Sequence, residues 1–213
     1  MKRLRIIAVI VVVALTAHAE KEPTIKTPRV AESSGLVQET YPVHPMMEGT
    51  GAVSFRPIGF FHSPYSEKTG APRQGVLVKE SEATIQIEES FRKGLADLIQ
   101  FEYIIVLYWF DHTETWSPLV NPPGSQHHFG VFATRSPKRP NPIGFSVVKL
   151  DGIDMDKGIL FLSGIDAFDG TPVLDIKPYL PSIDIVNSPI NRKTEKDLGH
   201  HDEEYIKEPT MYR

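Results

Sequence analysis

The chain has 213 residues, a formal net charge of −4 and no cysteine. The missing thiols exclude a disulfide framework, cysteine-bound zinc, thiolate catalysis and a lipid anchor on cysteine. The slight acidity excludes recognition of nucleic acid by bulk charge and leaves only a local basic patch for that purpose.

Residues 1–19 carry a basic head (Lys2, Arg3, Arg5), an apolar run from Ile6 to Ala17, and the small residues Ala17 and Ala19 just before Glu20. That is the order of a cleaved secretory signal, and the run falls short of the roughly 20 apolar residues a spanning helix needs. The expectation is an exported, periplasmic protein with no stable membrane span after cleavage. Residues 20–52 lack sustained periodicity and are broken by Pro and Gly, as in a linker or an N-terminal strap. The remainder is long enough for one domain over 53–186, followed by a polar C-terminal tail over 187–213.

Within the body, Phe55–Phe61 is a short strand candidate, and Val76–Glu88 alternates apolar and polar residues through Ile85 and Ile87. Glu89 or Ser90 can cap one main helix, in which Phe91, Leu95 and Leu98 share a face and which ends near Gln100. Tyr103–Phe110 (YIIVLYWF) is a continuous β-branched and aromatic run, suited to a strand buried on both sides at the centre of the sheet. Further strands are expected at Gly130–Thr134, at Phe145–Leu150 extending towards Ile153, and at Gly158–Ile165, the last two joined by the turn Asp154–Gly158. Strands far outnumber helices and do not alternate with them. The fold class is therefore mostly β, a single-sheet antiparallel barrel-like domain with one main helix. No GxGxxG opens a helix and no GxxxxGK[ST] occurs, so neither a Rossmann site nor a P-loop is expected.

Two segments concentrate chemistry. GVFATRSPKRPNPIG, Gly130–Gly144, places Arg135, Lys138, Arg139 and Asn141 among prolines that lock φ and restrict the preceding residue. Its cations suit an anion or phosphate contact, or else form a solvated loop. DGTPVLDIKPYLP, Asp169–Pro181, opens on a turn whose carboxylate can accept from ribose hydroxyls or an exocyclic amine, or simply close an Asx turn. Asp175 and Lys177 share a face of an extended segment and can pair with each other. Asp111 and His112 follow the buried strand, where a sheet delivers side chains to a site, and either can accept a proton. Ser63-Pro64-Tyr65 and Pro72-Arg73-Gln74-Gly75 bracket another proline-stiffened loop, while Tyr108, Trp109 and Trp116 read as core or wall. Neighbouring histidines point to opposite faces of a strand, so no metal site is expected.

IGFFHSPYSEK, PRQGVLVK, YWFDHTE, GVFATRSPKRPNPIG and DGTPVLDIKPYLP, in this order, resemble the TsaA-like family of TrmO-type tRNA N6-threonylcarbamoyladenosine methyltransferases, from about Phe55 to Pro181. The resemblance implies a single-sheet β-barrel that binds S-adenosylmethionine, forms a homodimer with the cofactor pocket near the interface, and acts on tRNA. It implies cofactor contacts at Gln74, Gly75 and Val76, at Asp111 and His112, at Arg135, at Phe145 and Ser146, and at Asp169, Gly170, Thr171 and Pro172. Substrate contacts would come from Lys138, Arg139, Asn141 and Lys177, and Asp111, His112 or Asp169 would assist loss of the proton. The family function places the chain in the cytoplasm if the leader is not used. The alternative is an exported TsaA-like binding module that keeps the nucleoside pocket with another ligand or without catalysis.

Overall fold

Six strands with inward apolar residues at every second position close on themselves in the order β10-β4-β2-β11-β5-β9, each paired antiparallel with its neighbours. Their ranges are β2 Gly59–His62, β4 Glu82–Ile87, β5 Tyr103–Trp109, β9 Ile143–Asp154, β10 Ile159–Ser163 and β11 Pro172–Pro178. Three two-stranded ladders lie outside the barrel: β1 Tyr41–Pro42 with β6 Thr115–Trp116, β3 Ala71–Pro72 with β12 Met211–Tyr212, and β7 Leu119–Val120 with β8 Phe129–Gly130. The computed structural model describes residues 41–42, 54–72, 75, 81–121, 127–197 and 211–212. The chain divides into two units, Met1–Val37 and Gln38–Arg213, the first of which lies outside the described residues. The signal segment 1–19 and most of 20–52 therefore lie outside them as well.

The barrel interior is the core. Phe61, Ile85, Ile87, Ile104, Val106, Val148, Leu160, Leu162 and Val173 are buried, each on the inward side of a strand that alternates as its sequence does. β5 pairs with β11 and β9, and because the sheet closes on itself no strand is its centre; what the apolar run does is make β5 largely buried. Two irregularities re-aim side chains. The register between β10 and β9 shifts so that Phe161 faces Gly152 and Leu162 faces Leu150, leaving Asp151 as the extra residue of a bulge. A second shift, between Val173 and Asp175, leaves Leu174 unpaired with β5.

The expected main helix is present as two 3₁₀ segments, Glu89–Leu95 and Leu98–Gln100. Ala96 is extended and Asp97 takes the left-handed region at φ 65, which breaks the chain between them. Leu95 still buries, and Phe91, Leu98 and Phe101 pack against the core, so the face read from the sequence is used although the helix type differs. The strand expected over Gly130–Thr134 is also shorter. Pairing covers only Phe129–Gly130, and Val131–Ala133 turns into 3₁₀. In the C-terminal segment, α1 Pro181–Asp184 and α2 Pro189–Asp197 are exposed helices. Among the described residues no helix is long and apolar enough to cross a membrane.

The registers give the barrel two unlike ends. His62 faces Thr84, Glu82 faces Ser163, Trp109 faces Ile143, and Pro172 faces Phe60, so β2, β5 and β10 finish, and β4, β9 and β11 begin, at one rim. Three connections meet there: 63–81, 110–142 and 164–171. The opposite rim carries the 3₁₀ segments, whose Phe91, Leu95 and Leu98 stop that end with apolar side chains.

Candidate active site at the upper rim

Proline-stiffened loops end on strands, and the strand order decides which of them meet. Gly75, Asp111, His112, Arg135, Lys138, Arg139, Asn141 and Asp169–Thr171 all fall on the three connections of the upper rim, and Pro172, Phe145 and Ser146 lie within the first turns of strand below it. Gln74 and Val76 lie outside the described residues. Lys177 does not join the group. It sits far down β11 opposite Ile105, exposed, and pairs with Asp175 as their shared face predicts.

Beneath this rim lies a polar cluster inside an otherwise apolar barrel. Tyr108 points inward, 2% exposed, with its ring edge-on to Phe61 and Phe110 at centroid distances of 5.6 and 5.2 Å. The Ser146 hydroxyl donates to Asp166 Oδ1 at 2.8 Å and lies 3.1 Å from the Tyr108 hydroxyl, which reaches the same carboxylate at 3.4 Å. The Gly75 amide and Asp166's own amide also donate to that carboxylate. Burial pushes the Asp166 carboxyl above the usual carboxylate range, against the pull of these donors. Burial likewise raises the Tyr108 hydroxyl, with the charge of Asp166 adding to it, so Tyr108 stays protonated throughout the physiological range.

Two glycines make the cluster possible. Gly144 sits opposite Tyr108 across the β9–β5 ladder, and a Cβ there would lie 2.5 Å from Tyr108 Cδ2. Gly75 packs so tightly on the next connection that a Cβ would lie 2.5 Å from the carbonyl carbon of Gly164. The bare backbone is what lets the Gly75 amide approach Asp166.

Arg135 is exposed, with its guanidinium carbon 5.8 Å from the centroid of the Phe145 ring, and its charge is felt at Tyr108. Arg139 has another employment. Its Nη1 donates to the carbonyls of Thr134 and Ser136 at 3.0 and 3.1 Å, clasping the loop that carries Arg135. Lys138 and Asn141 are exposed. Phe145 points outward from β9 and is 43% exposed beside Ile143, and Phe132 on the adjoining loop is 79% exposed.

Asp169 belongs to the other side of the same rim. Its amide donates to the Tyr65 carbonyl, its Oδ1 accepts from the Ser63 amide at 3.3 Å, and His62 Nδ1 lies 3.5 Å away. Gly170, at φ 80, donates to the Phe61 carbonyl, and the buried Thr171 accepts from the Phe61 amide, so this turn is stitched along β2. Asp169 lines a cavity of about 760 Å³ on the outer wall of β2, β4 and β10, together with His62, Glu82, Thr84, Phe161 and Ser163. Arg135 is not among the residues lining it. Between the two sides, His112 lies 3.1 Å from Glu67, 3.8 Å from Asp111 and against the Phe168 ring. Among the described residues no group of three or more His, Asp or Glu is placed to hold a metal ion.

Sequence reasoning missed Asp166, and its reading of Tyr108 as core or wall holds for the buried ring but missed the polar cluster at its hydroxyl. Asp166 carries no motif of its own. It stands three places before a turn that does, and only the closure of the barrel brings it to Tyr108 and Ser146.

Residues 60–185 match the tRNA-methyltransferase O N-terminal domain family. A probable S-adenosyl-L-methionine-binding protein of Pyrococcus abyssi is 43% identical over 133 residues, 62% of this chain and 71% of that protein. The tRNA (adenine(37)-N6)-methyltransferase of Escherichia coli is 44% identical over 135 residues, 60% of this chain but 57% of that enzyme. The crystal structure of TrmO from Pseudomonas aeruginosa superposes with a TM-score of 0.53 at 40% identity, covering 65% of this chain and 61% of that one. The matched span contains every strand of the barrel but the first residue of β2, and all three connections of the upper rim. The chain belongs to the tRNA-methyltransferase O N-terminal domain family.

Proposed function

We propose that this chain is an S-adenosylmethionine-dependent methyltransferase of tRNA, its acceptor the N6-threonylcarbamoyladenosine next to the anticodon. The observation that carries the reading is the family match over 60–185, which spans all three loops of the polar rim, taken with relatives named for binding S-adenosylmethionine and for methylating tRNA adenine.

The residues at the rim suit the cofactor. An amino-acid carboxylate finds the exposed guanidinium of Arg135; an adenine finds the half-exposed Phe145 ring; hydroxyls find the Asp169 carboxylate. Gly75 offers backbone where a side chain would block approach. S-adenosylmethionine, when bound, supplies the methyl group. The protein's part is to hold donor and acceptor in line, exclude water, and accept one proton from the acceptor nitrogen. Asp111, His112 and Asp169 are the exposed rim groups that can take that proton. Lys138 and Asn141 are exposed on the 110–142 connection and accessible to an anticodon loop, whereas Arg139 contributes by holding the Arg135 loop.

Arg135 and Asp169 stand on different sides of one rim, so a homodimer that sets one subunit's Arg135 side against its partner completes the pocket. The exposed Phe145, Ile143 and Phe132 supply an apolar face for it. Light scattering of the purified chain is expected to give twice the monomer mass, and a monomer at micromolar concentration rules the dimer out.

The test of function is methyl transfer from labelled S-adenosylmethionine to tRNA that carries N6-threonylcarbamoyladenosine, read by mass spectrometry of the nucleosides. Methylation of that nucleoside, absent with unmodified tRNA, is the expected result, and no transfer to either overturns the substrate. The leader-like residues 1–19 favour a second reading, an exported module with the same pocket and another ligand. An N-terminus at Glu20 in protein recovered from its native cell selects that reading, and an intact Met1 rejects it.

A further inference from the structure

A carboxylate taken from water costs several kcal/mol unless charge or hydrogen bonds offset it. Asp166 is partly buried, and among the described residues its donors are neutral: the Gly75 amide, its own amide, the Ser146 hydroxyl and the Tyr108 hydroxyl. Among the described residues no cationic side chain forms an ion pair with it, although Arg135 is close enough for its charge to be felt at Tyr108. Lys149 and Lys157 serve Asp151 and Asp154 elsewhere on the barrel. The carboxylate thus sits between Gly75 and Ser146, two of the positions implied as cofactor contacts, and among the described residues no ion pair neutralises it.

We infer that Asp166 is the counter-charge for the sulfonium of the bound cofactor and the residue that discriminates the cationic methyl donor from its neutral, demethylated product. This rests on the proposed cofactor site. The donor and product differ by one methyl and one positive charge, and they share the adenosine and amino-acid parts. Contacts with those shared parts, from Arg135, Phe145 and Asp169, cancel in the ratio of affinities. A fixed negative charge in a poorly solvated site does not cancel, because it acts on the sulfur charge alone. Such a site binds the donor, and loses its hold on the product once the charge has left with the methyl group.

The experiment is calorimetry of the full chain with S-adenosylmethionine and, separately, with S-adenosylhomocysteine, for wild type and Asp166→Asn. Wild type is expected to prefer the cation by about tenfold. Asp166→Asn is expected to weaken the cation by about tenfold and to change the thioether by less than about threefold, since the amide keeps size and hydrogen-bonding capacity. Equal weakening of both ligands, or of neither, overturns the inference, because a merely structural role moves both together. If Asp166→Asn does not fold, the same ratio is read on wild type between pH 4 and 8. Tyr108 holds its proton throughout that range, so the preference is expected to collapse on the acid side as the carboxylate is neutralised, and a flat ratio overturns the inference. Asp111→Asn and Asp169→Asn control for the other rim carboxylates, and loss of the preference in either of them instead also overturns it. Wild type that binds neither ligand refutes the cofactor reading itself, a result distinct from all of these.

Discussion

Gly144→Ala puts a methyl group where the Tyr108 ring lies, 2.5 Å from Cδ2. Neither partner can retreat easily. Gly144 is backbone paired within the β5–β9 ladder, one pair in from its rim end, and the Tyr108 ring is 2% exposed, edge-on to two other rings and tethered at its hydroxyl to Ser146 and Asp166. Overpacking a filled core costs about 1–3 kcal/mol. Displacing the ring also disturbs its hydrogen bonds, each worth about 1 kcal/mol. Against this, alanine gains about 0.5–1 kcal/mol over glycine in a strand through backbone entropy. The clash wins, with a net loss of about 2–3 kcal/mol. At about 2–4 °C per kcal/mol for a chain of this size, Tm falls by about 5–10 °C in differential scanning calorimetry. The cause is isolated by a double-mutant cycle. In a Tyr108→Leu background the same alanine should cost less than about 0.5 kcal/mol, because the ring it strikes is gone. A Tm within 2 °C of wild type, or an equal cost in both backgrounds, refutes the argument that Gly144 exists to seat Tyr108.

Because burial raises the Asp166 carboxyl in the folded state, its native form binds a proton more tightly than the unfolded chain does. Stability is therefore highest below about pH 4 for this group's contribution and is lost as pH rises through the elevated folded value, so the urea midpoint of wild type should fall over that window relative to Asp166→Asn. A parallel pair of curves contradicts the burial. Gly75→Ala drives a Cβ into the backbone of Gly164, which cannot rotate away, and should cost more than Gly144→Ala; Gly94→Ala, where an added Cβ meets nothing within 4 Å, should be neutral or slightly stabilising. Thermal melts of the two side by side check the contrast. The Arg56–Glu88 pair is 3.0 Å long but exposed on both sides, so Glu88→Gln should change stability by less than about 0.5 kcal/mol and the difference should vanish in high salt.

What the sequence shows of this fold is what local periodicity encodes. β4, β9 and β10 alternate buried and exposed residues as their sequences do, and the apolar run Tyr103–Phe110 becomes, over Tyr103–Trp109, a largely buried strand, in a barrel where every strand has a partner on each side. The helix over 89–100 was legible as an apolar face but not as 3₁₀, because the left-handed residue that breaks it, Asp97, is an ordinary polar residue in the sequence. Arg139 looked like a ligand contact because nothing local distinguishes a guanidinium that binds an anion from one that clasps two carbonyls of its own loop.

Asp166 shows where such reading stops. Its partners lie 20 and 58 positions away, and no local pattern connects them. The strand order does: β10 and β11 are not neighbours, and the connection 164–171 must cross the mouth of the barrel from one to the other. At its start it lowers Asp166 onto Tyr108 and Ser146, on the side of Arg135; at its end it ties Asp169 to Ser63 and His62, on the side of the outer cavity. The two segments that concentrated polar groups in the sequence are thus joined by a third whose residues are mostly apolar or small. A substitution in that crossing that moved it as a unit would alter both sides of the rim together, whereas one in either proline-stiffened loop would alter its own side alone.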